Sequence, residues 1–546
     1  MKAMNKIITP IIIAVFAAIA LLIGIAVGRQ MSTPTYPAME QEAVQVRSYG
    51  GQSGKFSKIN AILSLIDQAY VEDIDVDNLT DDILPDIMHN LDPHSAYVPA
   101  SEVEESHEDL EGSFSGIGVQ FNIQNDTVMV VDVIAGGPSE KLGIRPGDRI
   151  VEVNDSTFTG PEITNNKVLK TLRGKKGTSV DVKVRRAGIT ELIPFKIIRD
   201  DIPVNSVDIY YMITPTIGYM KISRFGANTY KEFMTGLSDL RNKGAKEFII
   251  DLRYNGGGYL YAVIQMVNEF LERGELIVYT EGLHSARNNV FADGTGHFKG
   301  YKVCVLINEF SASASEIFSG AIQDLDRGII VGRRSFGKGL VQQQIPLTDG
   351  SEIRLTTSRY HTPSGRCIQK PYKQGKIDEY EKDIVERYDR GEFFASDSIT
   401  LADSLVFYTK YGRKVYGGGG IMPDYFVAHD TTVYNKLYKN LSLGSHLYGF
   451  AFQYADRNRK ELSKIKDWQA MQKHIMGSNY ISEFKKYLKD KKVEFTEKEF
   501  ADCQSIVENI LQSYIARTIL GDDGFYPIYN QQDETLKKAL EVMEKN

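Results

Sequence analysis

Val303-Cys304-Val305-Leu306-Ile307-Asn308-Glu309-Phe310-Ser311-Ala312-Ser313-Ala314-Ser315-Glu316 reads as a strand, a sharp turn and the start of a helix. The apolar run has the length and composition of a strand covered on both faces, as in a parallel sheet. Beyond the serine-rich turn, Ile317, Phe318, Ala321, Ile322 and Leu325 recur at helical spacing and predict a helix from Ala314 to Leu325. The same order of events occurs upstream. Phe248-Ile249-Ile250-Asp251-Leu252 runs into Arg253-Tyr254-Asn255-Gly256-Gly257-Gly258, and a helical pattern follows from Ala262 to Leu271. This alternation predicts an α/β core over 201–429, with functional residues at the carboxyl ends of its strands.

Ser313 sits at such a junction, where the amides and dipole of a helix amino terminus favour developing negative charge. From the residues alone two readings stand. Ser313-Ala314-Ser315-Glu316 fits a capping box, in which Ser313 merely caps the helix. Alternatively its hydroxyl is a nucleophile, which needs a base. No histidine falls beside it by spacing, whereas Lys338 lies between Gly337 and Gly339, and a desolvated lysine serves as such a base. On a strand, the even step from Lys338 to Gln342 predicts both on one face, the glutamine orienting the amine. The glycines ending the upstream strand let a backbone amide approach a substrate carbonyl closely.

Working outward, residues 56–110 carry helical periodicity and predict a small helical domain. From 111 to 200 short alternating strands take over, among them Val119-Gln120-Phe121-Asn122-Ile123, Val128 to Val133, Arg149 to Val153 and Ser179 to Val184, with a helix at Asn166–Leu172. Residues 430–546 form a helical, charged extension. At the amino terminus Ile7 to Val27 holds 21 residues without charge, about 30 Å as a helix, one hydrocarbon thickness. Lys2 and Lys6 precede it, which orients the rest outward. A cleaved signal usually has a shorter apolar region, so its length favours an anchor (1–28), although Ala26-Val27-Gly28 resembles a cleavage site. Residues 29–55 have the composition of a flexible stalk. The chain is thus expected in the cell envelope, anchored in the inner (cytoplasmic) membrane with its catalytic part exported, periplasmic or extracellular.

Composition excludes other classes. The 546 residues are 42% hydrophobic and carry a net charge of −7, without the basic footprint of a nucleic-acid partner. Three cysteines make no disulfide framework. Cys304 reads as a core thiol, and neither the other cysteines nor the histidines show metal-ligand spacing. No metal and no cofactor are expected.

Six segments in order resemble the carboxyl-terminal processing peptidases, or tail-specific proteases, a family of Ser-Lys serine endopeptidases. They are Leu91-Asp92-Pro93-His94-Ser95, Phe114-Ser115-Gly116-Ile117-Gly118-Val119, Asp251-Leu252-Arg253 with Asn255 and Gly257-Gly258, Ser311 to Glu316, Gly337-Lys338-Gly339 with Gln342, and Gly420-Ile421-Met422-Pro423-Asp424. The resemblance implies a multidomain α/β protein: a membrane helix, a small helical domain, a PDZ-like β-rich domain, an α/β protease core and a helical carboxyl-terminal extension. It also implies Ser313 as nucleophile, Lys338, 25 residues on, as general base, and Gln342 as its orienting partner. The oxyanion hole would be the amides of Ala314 and Gly257, with Gly258 as the alternative.

In the PDZ-like unit, Gly116, Ile117, Gly118 and Val119 would hold a terminal carboxylate, the peptide adding as a strand beside Val119–Ile123. The implied partners are protein or peptide substrates with apolar carboxyl termini, the membrane through the amino-terminal helix, and an oligomer or adaptor through the carboxyl-terminal helices. The competing reading is a non-catalytic PDZ scaffold on a protease-like core. About fifty residues separate Thr362-Pro363-Ser364-Gly365-Arg366 from the Gly-Ile-x-Pro-Asp element, more than the family often has. This charged insertion (near 370–414) is expected to leave the catalytic set untouched.

Overall fold

The computed structural model describes residues 57–124, 126–134, 136–186, 188–399, 405–430 and 435–545. The expected membrane segment and stalk lie outside the described residues, among which no helix is long and apolar enough to cross a membrane. The chain divides into two units, Met1–Thr80 and Asp81–Asn546. The first contains the helix Ser57–Ala69; the second contains the sheets and the candidate site.

The core of this second unit is a six-stranded sheet in the order β1 (Val207–Met212), β2 (Ile217–Ile222), β3 (Glu247–Asp251), β4 (Lys302–Ile307), β5 (Ile329–Gly332), then the short strand Tyr425–Phe426. Only the β1–β2 pair is antiparallel. Ile250 lies beside Val305 and Asp251 beside Leu306, so the glycine-rich turn and the serine-rich turn leave the sheet side by side.

Alternation along the strands splits their side chains between two faces. Phe248, Ile250, Val303, Val305 and Ile307 pack with α1 (Leu260–Asn268), α2 (Ala314–Asp324), Phe270 and Phe298. All eleven residues of α2 are buried, more than an amphipathic helix requires. Its polar residues survive there because each is bonded: Ser315 Oγ donates to the Asn255 carbonyl (2.8 Å), Gln323 Nε2 to the Met422 carbonyl (2.8 Å), and Asp324 takes Arg366 (2.7 Å). The 370–414 segment contributes α3 (Ile377–Asp389). On the opposite face, Ile249, Cys304, Leu306 and Val331 are covered by Leu536, Ala539 and Met543 of α4 (Glu534–Lys545). The end of the extension therefore supplies the second helical layer that a mostly parallel sheet needs. Cys304 is the core thiol expected of it, and burial pushes its pKa far up.

A second sheet joins β6 (Leu340–Pro346) and β7 (Glu352–His361) to Leu276–Glu281 and Asn288–Phe291. Ala96–Val98 pairs with Glu352–Arg354 on its edge. Of the small helical domain expected over 56–110, helices Ser57–Ala69, Val76–His89 and Ala100–Glu111 are present, with this short strand between the last two. The reason for the strand lies in Tyr97 and Val98, which are buried, and in Asp92 and Ser95, which hydrogen-bond to Thr356 of β7.

The β-rich unit is a six-stranded antiparallel sheet, Val119–Gln124, Thr127–Val133, Arg149–Val153, Ser156–Thr157, Ser179–Arg185 and Ile193–Ile198. Its core of Val128, Val130, Ile150, Val180, Val182 and Val184 is closed by Val168 and Leu172 of the helix Asn165–Leu172. The strand pair Ser113–Gly116 and Asp200–Pro203 carries the chain in and out.

Ala539 has no exposed surface, so Ala539→Asp would place an unpaired carboxylate between α4 and the sheet. Denaturant unfolding of the full chain should show a loss of about 3 kcal/mol or more; an unchanged midpoint would mean that α4 is not a structural layer.

Candidate active site

Ser313 ends the turn after β4 with φ +55° and ψ −114°, an uncommon conformation for a residue with a side chain. The capping box is present: the Ser313 N–H donates to Glu316 Oε2 at 2.9 Å, and the Glu316 N–H faces the Ser313 side chain in return. The Glu316 N–H also donates to the Ser313 carbonyl at 2.8 Å, so it has an acceptor besides the hydroxyl. Ala314 N–H lies in the first turn of α2, where a helix offers no internal acceptor. Gly257 is pressed against this corner: a Cβ there would come within 2.7 Å of Ser313 Cβ and 3.1 Å of Ala314 N. With φ +107° as well, only glycine fits.

Asn255, fully buried, fastens the two turns together. Its Nδ2 donates to the Ile222 carbonyl (3.1 Å), and its own carbonyl accepts from the Ala312 N–H (3.0 Å) and the Ser315 hydroxyl (2.8 Å). Its Oδ1 also accepts the Gly257 N–H at 2.9 Å. The favoured donor of the glycine pair is thus already engaged, and among the described residues the Gly258 N–H has no acceptor.

Lys338 reaches the same place from the loop between β5 and β6. Two buried side chains bind its peptide units to those of Ser313. Glu316 accepts from Ser313 N–H (2.9 Å), Gly337 N–H (2.7 Å), Lys338 N–H (2.9 Å) and the Ser335 hydroxyl (2.5 Å). Tyr360 of β7 directs its hydroxyl to the Lys338 carbonyl (2.6 Å) and the Ser313 carbonyl (3.2 Å). Burial lowers the Lys338 pKa; the negative charges of Glu316 and Asp92 oppose this and Arg354 assists it. The Glu316 carboxyl is pushed up to about 7 by burial, against the pull of its four donors.

Gln342 does not make the expected bond to Lys338. Lys338 precedes β6, which begins at Leu340, so the even-spacing argument, which needs both residues on one strand, does not apply. Gln342 Nε2 instead donates to Thr356 Oγ1 (3.1 Å), which donates to Asp92 Oδ1 (3.0 Å). This brings the Leu91–Ser95 segment to the lysine. His94 is held to about 3 by burial and then by the charge of Lys338, and its Nε2 meets the Tyr380 hydroxyl at 2.9 Å. Tyr380 belongs to α3, so the insertion touches the site after all. Lys370 Nζ lies 4.1 Å from the Phe336 ring centroid and 4.0 Å from that of Tyr380. Arg387 donates to the Ser335 and Arg334 carbonyls at 3.0 and 2.8 Å. Glu316, read in sequence only as half of a cap, and Tyr360, which carried no local signal, are the functional residues that sequence reasoning missed.

Gly116 and Ile117 leave the strand Ser113–Gly116, Gly118 turns with φ +74°, and Val119 opens the strand Val119–Gln124. The stem of Arg173 lies beside this loop, its guanidinium over the Phe114 ring at 4.4 Å and paired with Glu108 at 2.5 Å.

Residues 216–379, which hold Ser313, Lys338 and Gln342, match peptidase family S41. Residues 115–197 match the PDZ domain, and residues 437–521 match a family of unknown function (DUF8443). The chain is 32% identical over 365 residues to the carboxy-terminal processing protease CtpB of Bacillus subtilis (strain 168), covering 66% of this chain and 75% of that protein. It is 34% identical over 370 residues to carboxy-terminal processing protease CtpA of the same organism, covering 66% and 78%. A carboxy-terminal-processing protease of Bartonella bacilliformis is 34% identical over 320 residues, covering 58% and 73%.

The buried Glu316 gives a pH signature. Its folded pKa, about 7, lies above the ordinary carboxyl value of about 4.3. Its contribution to stability is therefore full below that value and lost as pH rises through 7. Measured from pH 4 to 8, the unfolding free energy of the wild type minus that of Glu316→Gln should fall by about 3 kcal/mol. A difference that stays constant with pH would contradict the reading.

Proposed function

The chain belongs to the carboxy-terminal processing proteases of peptidase family S41, and on that premise we propose that Ser313 and Lys338 carry its peptide-bond hydrolysis. The matches of this chain to peptidase family S41 and to the PDZ domain, and relatives named carboxy-terminal processing proteases, support this reading; the residue roles are the proposal. Neutral Lys338 Nζ takes the proton of Ser313 Oγ as the oxygen attacks the scissile carbonyl carbon. The oxyanion accepts from Ala314 N–H and from the glycine turn, where Gly258 N–H, unlike that of Gly257, is not already engaged. Collapse of the tetrahedral intermediate breaks the C–N bond, and Lys338 returns the proton to the leaving amine. Water, deprotonated by the same lysine, then hydrolyses the acyl-enzyme ester. Gln342 acts at one remove, by fixing Thr356 and Asp92 beside the lysine.

The observation that carries this reading is the shared framework of Ser313 and Lys338, whose N–H groups meet on Glu316 and whose carbonyls meet on Tyr360. Such a framework holds a serine and a half-buried lysine in fixed relation, and burial favours the neutral amine a base must present. The PDZ domain is proposed to receive apolar carboxyl termini at Gly116–Val119, the peptide extending the strand Val119–Gln124. The apolar stretch Ile7–Val27 supports an envelope location with the catalytic part exported.

Ser313→Ala and Lys338→Ala should each lower cleavage of an unfolded, tail-bearing protein by at least about 10³-fold while unfolding temperatures stay the same. Lys338→Arg should be as inactive, since guanidinium does not release its proton near neutral pH. Cleavage within tenfold of wild type in Lys338→Ala would exclude lysine as the base. Intact substrate with the wild type, with the tail still bound, would favour the scaffold.

Gly118 sits at φ +74°, and a Cβ would approach Ile202 Cδ1 to 3.0 Å. Gly118→Ala should therefore raise KM for tail-bearing substrates several-fold and leave short-peptide hydrolysis unchanged. Equal effects on both substrates would deny this loop a role in tail capture.

A further inference from the structure

Asp533, just ahead of α4 in the carboxyl-terminal extension, meets the catalytic edge of the sheet. Its carboxylate lies 2.7 Å from Arg253 Nη1. The rest of that guanidinium lies on Asp251, with Nε 3.0 Å from Oδ1 and Nη2 2.6 Å from Oδ2. Lys221 completes the group, its Nζ 3.4 Å from Asp251 Oδ1 and donating also to the Arg253 carbonyl. Only 10% of the Asp533 side chain and 14% of the Arg253 side chain are exposed. The cluster holds two cations, Arg253 and Lys221, and two anions, Asp251 and Asp533, with Asp208 acting on Lys221 from beside it; neutralising Asp533 removes the carboxylate that faces Nη1 of the buried Arg253 guanidinium.

Arg253 is also the first residue of the turn that bears the candidate oxyanion amides. Tyr254, next in sequence, is held at φ +62° with its N–H on Asn308 Oδ1 at 2.9 Å. Asn255, Gly257 and Gly258 follow directly. A turn containing a strained residue keeps its shape only when its ends are fixed. Here one end is fixed by the Asp251–Arg253–Asp533 bridge, the middle by Asn255, and the far end by Phe225, whose N–H donates to the Gly257 carbonyl (2.9 Å) and whose carbonyl accepts the Tyr259 N–H (2.7 Å). Two further contacts seat the extension on the same edge: Tyr526 Oη donates to Asp208 Oδ2 (3.1 Å), and Asn530 Nδ2 donates to Tyr211 Oη (2.9 Å).

We propose that the carboxyl-terminal extension positions the oxyanion turn, with Asp533 as a positioning residue acting through Arg253. The effect on turnover rests on the role proposed above for that turn; the effect on the turn itself does not. Asp533 has a second task that must be separated from this one, because its Oδ1 accepts the Leu536 N–H at 3.0 Å and so caps α4. Asparagine caps a helix as well as aspartate but carries no charge. Asp533→Asn therefore removes the ion pair and keeps the cap.

The test compares full-length wild type with Asp533→Asn and Asp533→Glu, and with Glu534→Ala as an exposed neighbour outside the cluster. Amide hydrogen exchange over 254–258 should quicken at least about tenfold in Asp533→Asn, with α2, α4 and the PDZ domain unchanged. With an unfolded protein substrate, kcat should fall about tenfold at unchanged KM, Asp533→Glu should recover part of the loss, and Glu534→Ala should match wild type. Unaltered exchange over 254–258 overturns the proposal, as does faster exchange confined to α4, which would reduce Asp533 to a cap. If the wild type cleaves nothing, the Ser313–Lys338 reading fails while the exchange comparison still decides this one. If it cleaves and Asp533→Asn keeps the wild-type kcat, the proposal alone fails.

Discussion

One buried carboxylate holds the candidate site together. Ser313 and Lys338 come from separate turns, and Glu316 is the group on which both main chains converge. A carboxylate with no exposed surface is tolerated because it receives four donors, three of them from the glycine-flanked lysine loop. Tyr360 does the same for the carbonyls of both residues. The carboxylate also acts on the chemistry. Its charge stabilises the lysine ammonium, while burial of the lysine disfavours it, and burial prevails. The position of the lysine and the balance between its charged and neutral forms are thereby set by one arrangement.

The parts of this chain that extend beyond the protease core support that arrangement from behind. The α3 insertion lays Tyr380 against His94 and Arg387 against the carbonyls that precede Lys338. The extension covers the outer face of the sheet through Leu536, Ala539 and Met543 and reaches the glycine-rich turn through Asp533. The lysine loop and the glycine-rich turn, which have little secondary structure of their own, each rest on one of these additions. Their conformations are therefore fixed by tertiary contacts rather than by local propensity.

The legibility of each feature in the sequence depends on the range of the interactions involved. The two strand-turn-helix units, the glycine turn and the serine at the head of α2 were legible because strand burial, helix periodicity and glycine conformation are local. The capping-box pattern led to Glu316 yet showed only its bond to Ser313; its bonds to Gly337 and Lys338 cross 21 and 22 residues. Tyr360, 47 residues from Ser313, carries no local signal at all. Counting from Lys338 assigns Gln342 a face, but the strand begins only at Leu340, so the count starts from a residue outside it. The insertion looked remote because its charges resemble a solvated surface, but Arg387 and Lys370 are buried against backbone carbonyls and aromatic rings.

The most direct test is a titration of the Lys338 amine itself. In full-length Ser313→Ala protein labelled with ¹⁵N at lysine Nζ, the Lys338 signal can be assigned by its loss in Lys338→Arg and followed against pH. A midpoint well below the ordinary lysine value of about 10.4 is the result expected of a buried amine poised as a base. A midpoint at or above that value would show that Glu316 and Asp92 outweigh burial, and the lysine would then be a structural cation rather than the base of Ser313.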